Sequence, residues 1–161
     1  MEIMNCSTEM LGLDTFVPNI YDDMLRSGKK IFAIVAYDNH NKHPDNSPYS
    51  DSCGGWIIIN ADNLKYETIT DALFAGNFYA SSGPEIYDLY IEDSTVHISC
   101  SNAVKLTFSK NGRGAKWLLH QKANTLIMPL LNLMTPIYIS VSLLRMQMGI
   151  TQIQMHIFLK I

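Results

Sequence analysis

The sequence predicts an α/β fold in its first half followed by an antiparallel β portion, and three observations carry that expectation. The apolar run Ile31–Ala36 has the continuous hydrophobicity of a buried strand in an α/β layer. Helical patterns on either side of it end at glycines, Gly28 and Gly76, which suit left-handed caps. From Ile86 onward the period changes to two, with turn signals between the runs.

Taken in order, Glu2–Asn5 is expected as a short strand leading into a loop. A helix then opens near Asn19 and runs through YDDMLRS, with Ile20, Met24 and Leu25 on one face and Asp22 and Asp23 in its first turn, where they suit the positive end of the dipole. The strand ending at Ala36 delivers Asp38, Asn39, His40 and Asn41 at its carboxyl tip, where α/β folds concentrate their chemistry. The loop KHPDNSPYSDSCGG follows, long enough to expect a functional role. Trp56–Ile59 is expected as a second buried strand, and Tyr66–Ala75 as a helix turning Ile69, Ala72 and Leu73 inward. Ser81 and Ser82 are expected in a turn. Beyond it, IYDLYIED, VHISCS, AVKLTFS and AKWLLH form the antiparallel portion, with Asp93-Ser94 and Asn111-Gly112 as turns.

Composition narrows the function classes. At 47% hydrophobic and 17% charged, the 161-residue chain is globular, and a net charge of −3 offers no basic field for nucleic acid. Cys6, Cys53 and Cys100 are odd in number and widely spaced, which supports neither a disulfide framework nor a thiolate metal site. With no basic, apolar leader in MEIMNCSTEML, a reducing cytoplasmic setting is expected.

Asp38 and His40 are the candidate metal ligands. A carboxylate and an imidazole two residues apart, leaving a strand tip, can both turn toward one cation. Asn41 is placed at the same mouth as a candidate substrate contact. His43, three residues on, is expected to be a solvated side chain of the Pro44 loop, His97 alternates with apolar neighbours in a strand, and His120 and His156 have no partners in the sequence, so none is assigned a role.

Around these residues the sequence resembles the metal-dependent phosphoesterases of the polymerase and histidinol phosphatase (PHP) superfamily. The resemblance runs from EIMNCSTE through YDDMLRSGKKIFAIVAYDNHN and GGWIIINADNL to ITDALFAGNFYASSGPEI, and on to about Trp117 or Leu119. It implies the terminal part of a distorted β/α (PHP-type) barrel over residues 1–84, with the antiparallel β portion at 85–123. It further implies hydrolysis of a small phosphorylated substrate by metal-activated water, with zinc, manganese or iron as the divalent cofactor in the full-length protein. Asp38 and His40 match the family's last ligand motif. The family's earlier motifs, a His-x-His pair, an Asp-His and a middle His or Glu ligand, should precede this stretch and do not appear. The chain is therefore expected to be an inactive carboxyl-terminal fragment.

Residues 124–161 have another texture. All fifteen acidic residues lie in 1–93, and none lies in 94–161, where there are seven basic ones. Five of the nine methionines fall in the tail. Because methionine has a single codon, reading each codon's third base with the next two fixes the alternative residue at every one: Ala at 128, Asp at 134, Ala at 146, Gly at 148 and Ala at 155. The shifted string can alternate apolar and polar residues and regains acids, so translation out of frame from about Asn124 is expected. Two other readings stand beside the enzyme fragment. One is a non-catalytic β-rich binding or interaction domain, with Asp38–Asn41 only a loop. The other is a membrane anchor at residues 123–144, an uncharged stretch of spanning length whose Pro129, Asn132 and Pro136 make it a poor one.

Overall fold

In a computed structural model, the chain divides into two compact units, Met1–Ser82 and Gly83–Ile161. The structure describes residues 1–15, 17–44, 46, 47, 50, 52, 54–83, 85–93, 95–109, 115–129 and 140–143, with side chains up to Ser101 except that of Pro18.

The first unit opens with strand β1, Glu2–Asn5, which turns directly into a one-and-a-half-turn helix, α1, Cys6–Met10. Asn5 caps that helix, its side-chain oxygen accepting from the Thr8 N–H at 3.0 Å. Helix α2, Pro18–Arg26, follows. Proline's fixed φ suits the first helical position, and starting there puts Asp22 and Asp23 beyond the first turn, later than the sequence suggested. The buried face is Tyr21 and Leu25, while Ile20 faces solvent. Gly28, at φ +83°, closes the helix: Gly28 N–H reaches Leu25 O and Lys29 N–H reaches Met24 O, the paired bonds of a Schellman cap. Strand β2, Ile34–Ala36, then pairs parallel with β1, aligning Asn5 with Ala36.

Strand β3, Trp56–Ile59, and strand β4, Phe78–Ser81, are joined by helix α3, Tyr66–Ala75, yet pair antiparallel, Trp56 opposite Ser81 and Ile59 opposite Phe78. Ser81 is thus a strand residue with no exposed surface, and not part of a turn. Ala72 is the buried residue of α3, and Phe74 and Tyr66 face solvent. Gly76, at φ +80°, ends α3, and Phe32 occupies the space a side chain there would need.

The expected β/α barrel does not form. A barrel of that kind needs a closed ring of parallel strands. Here the described strands lie in three small sheets, β1–β2, β3–β4 and a four-stranded sheet, with no ladder closing one on another. The antiparallel return of β4 on β3 is incompatible with the parallel β/α repeat. The first unit is a small mixed α/β assembly whose core holds Ile3, Met4, Cys6, Tyr21, Leu25, Ala33, Val35, Ala72 and Ala80.

The second unit is antiparallel. Strand β5, Ile86–Glu92, pairs with β6, Thr95–Ser109, through a tight turn in which Asp93 takes φ +46°. The segments VHISCS and AVKLTFS are therefore one long strand. Along β6 lies β7, Ala115–Pro129, and strand β8, Ser140–Leu143, pairs with Leu106–Ser109. Val96, Ile98 and Cys100 alternate inward from β6 as period two requires. Residues 124–129 continue β7, with Thr125–Pro129 opposite Thr95–Ser99, whereas most of the tail expected to be out of frame lies outside the described residues. Among the described residues no helix is long and apolar enough to cross a membrane, and the described parts of 123–144 are strand.

Candidate functional site

Parallel pairing of β1 with β2 brings two carboxyl tips together, Asn5–Ser7 from one strand and Tyr37–His40 from the other. The junction is tied by backbone, the Ser7 N–H donating to Tyr37 O at 3.0 Å. Asp38 then adopts φ +51°, a left-handed conformation that an aspartate tolerates better than most residues, and Asn41 follows at φ +52°. These reversals turn the chain away from the strand direction directly after β2. The loop is held by the Asn41 N–H on Asn39 Oδ1 at 2.6 Å and by Asn39 Nδ2 on Ser52 Oγ at 2.7 Å.

The two predicted ligands come together. His40 Nε2 and Asp38 Oδ1 face each other across 3.9 Å, each side chain about half exposed, at 47% and 49%. The amino-terminal corner reaches both. Asn5 Nδ2 donates to Asp38 Oδ2 at 3.2 Å, and Ser7 Oγ lies 3.4 Å from His40 Nδ1. Asn5 Nδ2 also donates to Glu2 Oε1 at 3.2 Å, so the carboxylates of Glu2 and Asp38 share one amide group and their bonded oxygens are at most twice 3.2 Å apart. Because Asn5 Oδ1 is committed to the Thr8 N–H, the amide is oriented with its nitrogen toward the acids. Asn41 is exposed, and its bond to Asn39 belongs to the loop and not to the Asp38–His40 pair.

Glu2, Asn5 and Ser7 have no role in the sequence reading. Their signal is non-local: only the parallel β1–β2 ladder places residues 2–7 beside residues 38–40. The Gly54-Gly55 pair has a structural reason. A Cβ at Gly55 would lie closer than 3.0 Å to Val35 and to Cys6, and one at Gly54 would crowd Cys6, so the chain entering β3 passes against β2 and α1. Trp56 follows with its ring 6.4 Å from that of Tyr37. Cys6 sits beneath this corner, 4% exposed, its thiol pushed up to about 12 by burial and then by the nearby Glu9 and Glu2 carboxylates.

The donors fit one corner of a divalent-ion site. Oxygen and nitrogen ligands of a tetrahedral zinc at about 2.0–2.2 Å stand roughly 3.4 Å from each other, so the pair at 3.9 Å must close by about half an ångström. Among the described residues no group of three or more His, Cys, Asp or Glu is gathered closely enough to enclose an ion. Two donors cannot complete a coordination shell on their own. The order Ser7, His40, Asp38 also has the sequence of contacts of a nucleophile, a base and its orienting acid. Ser7 is only 8% exposed, however, which closes it to an ester substrate.

In the second unit His97 stacks on Tyr90 across the β5–β6 ladder, ring centroids 4.5 Å apart and nearly parallel, a packing role. No family model, curated protein or solved structure matches this chain.

Proposed function

We propose that this chain is part of a metal-dependent phosphoesterase of the PHP kind, supplying Asp38 and His40 to a divalent-cation site and lacking turnover by itself. The observation that carries the reading is the pair of donors facing each other across 3.9 Å at the carboxyl end of β2. Zinc, manganese or iron would fit an oxygen and nitrogen donor pair, and such an ion lowers the pKa of water and neutralises phosphoryl charge. Asp38 supplies negative charge at the pair, and Glu2 adds a second carboxylate on the same Asn5 amide. Half exposure of both donors leaves room for further ligands and a small phosphorylated substrate to approach. Asn41, at the mouth, is the candidate substrate contact. A cytoplasmic placement accompanies this reading, supported by Cys6 and Cys100 as buried free thiols.

The second reading, a β-rich binding domain, draws on the separate antiparallel unit and on Tyr87 and Tyr90 exposed on β5. Metal analysis and phosphomonoester hydrolysis, measured on this chain and on one extended by its upstream coding sequence, separate the two. The phosphoesterase reading expects metal in the extended protein, activity there alone, and loss of both in His40→Ala. Metal-free extended protein, or metal and activity indifferent to His40→Ala, would favour the binding domain.

A further inference from the structure

One edge of the second unit carries a planar platform set between two acids. Strand β5 pairs with β6 along one side, and among the described residues no strand pairs along its other side. Asp88–Glu92 run in unbroken register opposite Thr95–Ser99. Tyr90 and His97, directly opposite each other, stack with centroids 4.5 Å apart and planes within 1° of parallel. One face of the Tyr90 ring is thus covered by His97, and the other is turned away from β6, over the unpaired edge. Tyr90 is 44% exposed, so that second face is open to solvent. Asp88 and Glu92, both exposed, share the Tyr90 side of the strand by period two and stand about 7 Å to either side of it. Glu85 and Asp93 add exposed carboxylates at the two ends of β5, and residues 83–101 contain no Lys or Arg.

We propose that this edge accepts an extended cationic segment of a partner protein, added as a further strand beside β5 with an Arg stacked on the open face of Tyr90 and basic side chains opposite Asp88 and Glu92. Strand addition places the new side chain about 5 Å from Tyr90, the ordinary spacing of neighbouring strands, close to the distance already present between Tyr90 and His97. A guanidinium there continues the stack as a planar cation on the negative face of a ring, inside the roughly 6 Å over which that attraction acts. Each flanking carboxylate gains an opposite charge across the ladder. A second copy of this chain fits worse. Pairing one β5 with another brings acid-rich edges together with no base between them, and like charges across a ladder are destabilising. The acids that keep the edge from pairing with its own kind therefore select a basic strand. None of this requires the Asp38–His40 pair, which lies in the first unit.

The test uses the full 161-residue chain without added metal and the labelled peptide Thr-Lys-Val-Arg-Val-Lys-Thr, with affinity read by fluorescence anisotropy and location by backbone amide exchange. A second peptide carries Glu in place of each Lys and Arg. Expected are saturable binding of the basic peptide, on the order of 10-fold tighter than the acidic one, and slowed exchange at alternate amides of β5. Tyr90→Leu should weaken it about 2- to 30-fold, and Tyr90→Phe, which keeps the ring, should bind as the wild type does. Asp88→Lys combined with Glu92→Lys should reverse the preference between the two peptides. No binding of the basic peptide, equal affinity for both peptides, or an affinity unchanged in Tyr90→Leu overturns the proposal. So does exchange slowed elsewhere than in β5. A concentration-dependent dimer with protected β5 amides would overturn it too, since the edge would then belong to a second copy.

Discussion

Replacing Gly55 by alanine tests the packing that sets β3 against β2 beneath the site. The added Cβ would approach Val35 and Cys6 closer than 3.0 Å. Val35 is 5% exposed and β-branched, so it has little freedom to rotate away. Overpacking of this sort costs about 1–3 kcal/mol, and the lower chain entropy of alanine in the unfolded state returns about 0.4–1 kcal/mol. A net loss of about 1–2 kcal/mol is expected. In an 82-residue unit whose whole stability is about 4–12 kcal/mol, that is a large share, corresponding to a fall in Tm of about 10 °C. Thermal unfolding followed by tryptophan fluorescence reads the change, since Trp56 adjoins the substitution. Val35→Ala removes the larger obstruction, so Gly55→Ala should cost less in that background, the signature of direct coupling. Gly28→Ala is the contrasting case, with open space around it but φ +83°, and its cost of about 1 kcal/mol should not respond to Val35. A Gly55→Ala protein as stable as the wild type, or a cost unchanged by Val35→Ala, would refute the packing argument.

Other consequences follow from buried groups. The Asp22 carboxyl is pushed up by burial, with Arg26 opposing and Asp23 adding to the shift, so the folded chain binds that proton more tightly than the unfolded one. Its cost to stability is therefore absent below the ordinary carboxylate range and grows as pH rises from there through the raised value. Asp22→Asn should stabilise the protein at neutral pH, with the gain shrinking toward zero in acid, as read from urea unfolding across pH. Cys6, with so little thiolate at pH 8, should remain unmodified by iodoacetamide in the native protein and react in denaturant, as peptide mapping would show. Tyr21→Phe removes the hydroxyl that donates to Ile31 O at 3.2 Å from a fully buried ring, and should cost about 1 kcal/mol in chemical denaturation.

Local chemistry was legible in the sequence, and non-local pairing was not. Gly28 and Gly76 marked helix ends because a left-handed cap is a one-residue demand. The helical face of α2 was misassigned because Ile20 and Tyr21 are adjacent, and propensity does not decide which of two apolar neighbours turns inward. Only Ile34–Ala36 of the apolar run joins a ladder, since β1 is a short partner. Strand β4, Phe78–Ser81, was missed because the stretch after Gly76 was assigned no element and Ser81 was expected in a turn. The barrel was inferred through a resemblance; the direction in which β4 returns on β3 is a tertiary choice that alternation of apolar residues does not encode. Asp38 and His40 could be singled out because they sit two apart at a strand tip. Glu2, Asn5 and Ser7 could not, because their relevance depends on a neighbour more than thirty residues away.

The central claim is that Asp38 and His40 form one corner of a divalent-cation site. Isothermal titration of zinc into the chain extended by its upstream coding sequence, and into the Asp38→Ala and His40→Ala variants of that protein, tests it most directly. Saturable binding in the wild type that is lost in both variants is the predicted result; identical heats in all three proteins would contradict it.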